Sequence, residues 1–163
     1  MDKQVQHILE ILEDNAKVTP KEIANLTGMT IDNVTKSIEQ FEKSGIIRKY
    51  KTIIDWELAG EEFVHAIIEL KVTLERKLGY QAIAECLYKF PQVRSVRLLS
   101  GGHDLSLTIR GRSMKEVAFF VAGKIATLDQ VQGTTTHFVL KTYKEDGVIL
   151  YETEHIKRLQ ISP

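Results

Sequence analysis

The stretch TPKEIANLTGMTIDNVTKSIEQFEKSGIIRKY, Thr19 to Tyr50, decides the fold of the N-terminal part of this chain. It reads as two short helices joined by a tight turn, followed by a strand-like exit. Thr19 suits the cap of a helix that starts at Pro20, and Glu22 completes a T-x-x-E capping box. Ile23 and Leu26 give that helix an apolar edge. Gly28 stops it, because glycine tolerates the left-handed backbone of a helix end. Thr30 caps the next helix, and Asp32 favours its positive N-terminal end. Ile31, Val34, Ile38 and Phe41 then share one face, the spacing of a helix docked on a core. Asn33, Lys36, Ser37, Gln40 and Lys43 hold the opposite face. Gly45 closes the helix, and Ile46 and Ile47 begin an extended segment.

Helix, glycine turn and helix with a free face of amide, hydroxyl and amine groups make a helix-turn-helix. Its second helix would lie in a DNA major groove, where Asn and Gln pair with adenine edges and Lys reaches guanine or phosphate. Thr30, Asn33, Lys36, Ser37, Gln40 and Lys43 are the candidate DNA-facing residues. Arg48, Lys49 and Lys51 in the β-prone exit IIRKYKTIID are candidate phosphate contacts. The alternatives stay open here. Two capped amphipathic helices occur in many helical domains, and lysines along a strand also block unwanted edge pairing.

Working outward, Val5, Ile8, Leu9, Ile11 and Leu12 form a helical stripe between Lys3 and Asp14, the first helix of a three-helix unit. The 163 residues allow one large or two small domains, and 43% hydrophobic with 27% charged residues is ordinary for a globular protein. Lys plus Arg and Asp plus Glu both number 22, so nothing in the net charge draws the chain to nucleic acid. The first fifty residues are not basic either, so DNA binding has to rest on a local patch. Cys86 is the only cysteine, which excludes an internal disulfide and a cysteine metal cluster and fits a reducing cytoplasm. Burial is the expected fate of its thiol. No signal peptide is legible, and no apolar run nears the roughly 20 residues of a membrane span.

From Phe63 the period changes. Val64, Ala66, Ile68, Leu70 and Val72 alternate with His65, Ile67, Glu69, Lys71 and Thr73, as in a strand. A helix from Gly79 carries Ile83, Leu87 and Phe90. Strands follow at Val93–Leu99 and Asp104–Arg110, joined by Gly101-Gly102. Ser113 with Glu116 opens a helix carrying Val117, Val121, Ile125 and Leu128. Thr134–Tyr143 is a fourth strand. Asp146-Gly147 turns into an edge strand at Val148–Tyr151, and His155–Ile161 is a last helical turn or a tail. The order is that of a ferredoxin-like βαββαβ domain. Its open sheet face, with Ile67, Ser95, Arg97 and Thr108, would invite a second chain. The fold expected is therefore α+β. Residues 1–50 form a three-helix winged helix-turn-helix domain, 51–61 a linker strand, 62–144 the ferredoxin-like domain, and 145–163 a C-terminal hairpin and tail.

Landmarks along the chain add a resemblance. Glu22-Ile23-Ala24, Gly28-Met29-Thr30, Val34 with Ile38 and Phe41, and Gly45-Ile46-Ile47 come first. Tyr50, Asp55, Leu58 and Gly60 follow, then Pro91-x-Val93, Gly101-x-x-Asp104 and Thr134-x-Thr136 before Val139-Leu140-Lys141. Their joint order and spacing resemble the leucine-responsive and asparagine-regulator family of prokaryotic transcription factors, from about Val5 to about Lys144. The resemblance implies a regulator of double-stranded DNA that works without a cofactor. It implies a homodimer that assembles to an octamer, and a C-terminal domain that senses an amino acid or related metabolite. It places the effector around Ser100, Gly101, Gly102, His103 and Asp104, with Thr134 and Thr136. From the residues themselves, Gly101 and Gly102 could hold a carboxylate, Asp104 an ammonium, and His103 either. Equally, glycine and aspartate serve a tight hairpin.

Departures matter. The family's basic pair in the recognition helix falls here on Lys36 and Ser37, followed by Glu39 and Gln40, which leaves that face less cationic. Trp56 stands where proline is common, and Asp129-Gln130 replaces Pro-Gly. Two other readings remain. A tetrapyrrole (siroheme) decarboxylase of the same two-domain build would use His65, His103 or His137 as acid or base. A ligand sensor that has lost DNA binding would explain the meagre charge.

Overall fold

The computed structural model describes residues 2–73 and 79–151. The chain divides into two compact units, Met1–Ile54 and Asp55–Pro163. That boundary falls inside the expected linker. The segment expected as a final helical turn or tail, 155–161, lies outside the described residues.

The first unit holds α1 (Lys3–Asp14), α2 (Pro20–Thr27) and α3 (Ile31–Ser44). Ile8, Leu12, Ile23, Ala24, Val34 and Phe41 form its buried core. The capping box at the start of α2 is complete. Thr19 N donates to Glu22 Oε2 at 2.8 Å, and Glu22 N donates to Thr19 Oγ1 at 3.3 Å. The Thr19 N–H, then the Thr19 hydroxyl, which donates to the same oxygen at 2.7 Å, hold the Glu22 carboxyl below its usual range. Gly28 ends α2 with φ of 71°, the left-handed geometry that turns the chain into α3. Two residues depart from expectation. Leu26 and Ile31 are 64% and 51% exposed, and Ala24 joins Ile23 in the core instead. Helical side chains lean toward the N-terminus, so Ile31, the first residue of α3, overhangs the end of the packed stripe. The strand expected over 51–61 does not form, and among the described residues the first unit has no strand pair. An extended segment needs a neighbour for its backbone groups, and a single chain offers this one no ladder.

The second unit begins with a turn, in which Asp55 Oδ1 accepts from Leu58 N at 3.0 Å. Then come β1 (Val64–Val72), α4 (Gly79–Leu87), β2 (Val93–Leu98), β3 (Leu105–Gly111), α5 (Met114–Phe120) and β4 (Val131–Val139). A π-helical turn, Val121–Ile125, continues α5. The antiparallel sheet has the order β2-β3-β1-β4, the expected ferredoxin-like arrangement. Its core face carries Ala66, Ile68, Leu70, Leu105, Leu107 and Ile109, against Ile83 and Leu87 of α4 and Val117, Val121 and Ile125 beyond β3. Cys86 is exposed, contrary to expectation, because Ile83 and Leu87 take the inward positions of α4.

β4 starts at Val131 rather than Thr134 and stops at Val139 rather than Tyr143. Its partner sets both ends: Val72 pairs with Val131 and His65 with Val139, and β1 then runs out. The expected edge strand at Val148–Tyr151 is instead half of a separate hairpin, β5 (Lys144–Glu145) with β6 (Val148–Ile149). The Ser113–Glu116 box is only half made. Ser113 Oγ accepts from Glu116 N, but Glu116 Oε2 takes Arg112 N at 2.7 Å.

Two contacts lock the sheet. At Gly111 an added Cβ would lie 2.8 Å from Val117 Cγ2, so α5 approaches β3 where there is no side chain. At the other end, β1 shifts register between Lys71 and Val72. There Asp104 Oδ2 accepts Val72 N at 2.9 Å, and Oδ1 meets Lys71 Nζ at 3.4 Å and Tyr80 OH at 3.3 Å. The Val72 N–H, then Lys71 and Tyr80, hold the Asp104 carboxyl below its usual range.

Gly111→Ala should destabilise the protein by about 1–3 kcal/mol through overpacking, read as a lower denaturation midpoint at unchanged slope. The lowered Asp104 value favours the fold fully above the ordinary carboxylate range, about pH 4, and that contribution is lost as pH falls through the folded value. Asp104→Asn should therefore lower stability at pH 7 and flatten its acid dependence in urea melts. Parallel pH profiles for both proteins would contradict this.

Candidate functional site

On α3 the buried Val34 and Phe41 fix the outward face. Thr30 caps the helix, its side chain accepting from Asn33 N at 3.3 Å. Asn33, Lys36, Gln40 and Lys43 are exposed and Ser37 is partly so, all on the side away from the core. Lys36, Gln40 and Lys43 line a shallow open hollow with Glu39 and Ser44. The lysines do not stand alone. Lys36 Nζ meets Asp32 Oδ2 at 2.6 Å, and Lys43 Nζ lies 3.9 Å from Glu39 Oε2. The Asp32 carboxylate, with a smaller contribution from Glu39, raises the Lys36 ammonium above its usual value. Both pairs are solvent-exposed and therefore weak, so a phosphate or base edge can displace them. Beyond α3, the Arg48 guanidinium folds against Gly45, with Cζ 3.3 Å from where a Cβ would stand. Lys49 and Lys51 are exposed.

In the second unit the β2–β3 loop closes through Leu99 N to Asp104 O at 2.9 Å. Ser100, Gly101 and Gly102 are exposed at its tip. Asp104 does not offer a free carboxylate to an ammonium, because Val72, Lys71 and Tyr80 already engage it. His103 turns to the open sheet face. Its Nδ1 lies 3.4 Å from Glu69 Oε2, and its Nε2 is 3.4 Å from Thr135 Oγ1. His137 Nε2 reaches the same Glu69 oxygen at 3.1 Å.

The expectation for Thr134 and Thr136 is corrected by the register. Thr134 pairs with Leu70 and Thr136 with Ile68, core-facing residues, so both lie on the helix side of the sheet. Thr135 and His137, opposite Glu69 and Ile67, face the loop instead. Glu69 and Thr135, which the His103 ring reaches, are not among the residues expected from sequence. The signal was present in the alternation of β1, but only the β1–β4 register shows which threonine it brings to Glu69. The open face otherwise matches expectation. Ser95 Oγ donates to Thr108 Oγ1 at 2.9 Å, Arg97 Nη1 donates to Ser95 Oγ at 2.7 Å, and Ile67 is 40% exposed. His65, His103 and His137, far apart in sequence, all reach this face. No helix among the described residues is long and apolar enough to cross a membrane.

Known proteins share both halves. The winged helix-turn-helix DNA-binding family matches residues 1–48, and the Lrp/AsnC ligand binding domain matches residues 65–149. The HTH-type transcriptional regulator YugG of Bacillus subtilis is 45% identical over 157 residues, covering 96% of this chain and 95% of the relative. The regulator FL11 of Pyrococcus horikoshii is 32% identical over 145 residues, covering 89% and 93%. Among solved structures, the Neisseria meningitidis regulator NMB0573 in complex with L-Met is similar at a TM-score of 0.72. It shows 25% identity over 89% of this chain and 93% of that one. Escherichia coli AsnC shares the fold at a TM-score of 0.68, with 23% identity over 89% and 95% of the two chains. With a helix-turn-helix whose polar face is exposed and a ligand-binding domain model matched over half of the chain, this chain belongs to the Lrp/AsnC family of DNA-binding transcriptional regulators.

Proposed function

We propose that this regulator reads specific duplex sites with α3 and is modulated by an amino acid or a close relative. The observation that carries the first half is the burial of Val34 and Phe41, which leaves Asn33, Lys36, Ser37, Gln40 and Lys43 outward. Asn33 and Gln40 suit adenine edges, Lys36 suits guanine or phosphate, and Thr30, Lys43, Arg48, Lys49 and Lys51 suit the backbone. Two copies would set their α3 helices in successive major grooves, roughly 34 Å apart. The open sheet face around Ile67 suits pairing of two chains, and dimers would build the octamer.

For the effector, the Neisseria relative's complex with L-Met supports an amino acid. The chemistry of the loop agrees. Ser100, Gly101 and Gly102 would receive the carboxylate, and His103 a polar group. Glu69, which His103 and His137 meet through Oε2 alone, would take the role of ammonium partner through Oε1, whereas both oxygens of Asp104 are engaged. The effector would act on assembly or on DNA affinity.

One observation favours a second reading, a sensor that no longer binds DNA. Both lysines of the outward face of α3 are paired within the helix. The two readings part in a gel-shift series across salt. Lys36→Ala should weaken binding and lower the slope of log K against log salt by about one. Asp32→Asn should do the reverse, by freeing Lys36. If no promoter fragment is retained at low salt by the parent protein or by Asp32→Asn, the sensor reading replaces the first. For the effector, the melting temperature in the presence of a panel of amino acids should rise with at least one of them, and Glu69→Gln should abolish the rise. A rise that survives Glu69→Gln would remove Glu69 from the site.

A further inference from the structure

Three arginines gather at the end of the sheet away from the β2–β3 loop. Arg110 and Gly111 lie opposite His65 and Val64 at the start of β1, whereas the loop meets Leu70. The two ends are about 20 Å apart along the strand. Arg110 Cζ lies over the Phe63 ring at 4.3 Å from its centroid, and Arg112 Cζ lies over the same ring at 4.6 Å. Trp56 backs Phe63 edge-on at 5.3 Å. Phe63, Pro91, Gln92, Arg94, Arg110 and Arg112 line one surface hollow, with Gly111 and Glu116.

The charges of this hollow do not cancel. Arg112 Nη1 is paired with Glu61 Oε2 at 2.8 Å. Glu116 spends its carboxylate on the Arg112 backbone at the head of α5. Arg94 and Arg110 have no carboxylate partner among the described residues. Two neighbours register the surplus. The Arg110 guanidinium is lowered from its usual value by burial, then by Arg94 and Arg112. His65 is lowered by burial, then by Arg110, with Glu145 opposing and Arg94 adding a smaller push.

We propose that Arg94, Arg110 and Arg112 form a second ligand site, which takes the phosphate group of a small phosphorylated metabolite. A carboxylate offers one bidentate edge, and one guanidinium fills it, as Arg112 fills Glu61. A doubly charged tetrahedral phosphate has edges for two forks, and Arg94 and Arg110 supply them. Phe63 and Trp56 hold Arg110 in place by cation–π contact and keep water from one side of it. The site is independent of the amino-acid reading of the β2–β3 loop and of the DNA face of α3.

The test is calorimetric titration of the full chain with inorganic pyrophosphate at constant ionic strength, with sodium acetate and a short duplex as comparators. Saturable binding of about one pyrophosphate per chain is expected, with none for acetate. Arg94→Ala should weaken it by about tenfold or more, and Lys36→Ala should leave it unchanged. Arg94 makes no side-chain hydrogen bond or ion pair among the described residues, so its removal takes no such contact from the fold. Arg110→Lys, which keeps the charge but loses the fork, should also weaken binding. No saturable signal, equal affinity in Arg94→Ala, or equal affinity for acetate would overturn the proposal. So would an Arg94→Ala effect confined to the duplex, which would assign the patch to nucleic acid.

Discussion

The alternation of β1 is the constraint on which the second half of this protein depends. Ala66, Ile68, Leu70 and Val72 are all buried on one side, flanked by β3 and β4. Ile68, Leu70 and Val72 each contribute about 1.5–3 kcal/mol when fully removed from water, and Ala66 less. A slip of one residue would turn all of them to solvent at once, so the register is strongly fixed. Everything on the other face follows from that choice. Glu69 faces out because Ile68 and Leu70 face in, and Thr135 and His137 meet it because β4 pairs where it does. The same logic acts in the first unit, where Val34 and Phe41 decide which side of α3 is left outward.

The two ends of the sheet have opposite electrostatic character. At one, Glu69 and Asp104 draw in His103, His137, Lys71 and Tyr80, and every named carboxylate oxygen has a donor nearby. At the other, guanidiniums crowd an aromatic floor and two of them lack a counter-charge among the described residues. A neutral chain, with 22 charges of each sign, thus separates its charge locally. Composition averages this away, which is why net charge was a poor guide to what the surface can bind.

Local signals were legible. The T-x-x-E box, the glycine turn and the 3.6-residue stripe gave all three N-terminal helices, because each is decided within a few residues of chain. The period of two gave the strands for a similar reason. What escaped was set by distant partners. The ends of β4 depend on the length of β1, and the choice of Thr135 over Thr134 and Thr136 depends on the β1–β4 pairing. The engagement of Asp104 depends on a register shift more than thirty residues away in the chain. Ile31 was misplaced because spacing alone does not say where a core stops. The C-terminal hairpin was seen, but its independence from the main sheet was not, since the turn residues Asp146 and Gly147 are the same in either case.

The lysine–carboxylate pairs of α3 bear on how such a protein searches a chromosome. On the reading proposed for α3, a surface that carries its own counter-ions would release few from the duplex on contact, and its hold on random sequence would be brief. Short dwell times favour hopping over long sliding runs. They also shift the burden of discrimination to sites where several copies engage together and rebinding outpaces escape. Occupancy would then be a steep function of how many subunits are joined, and a metabolite that altered assembly would gain leverage over transcription without touching a base.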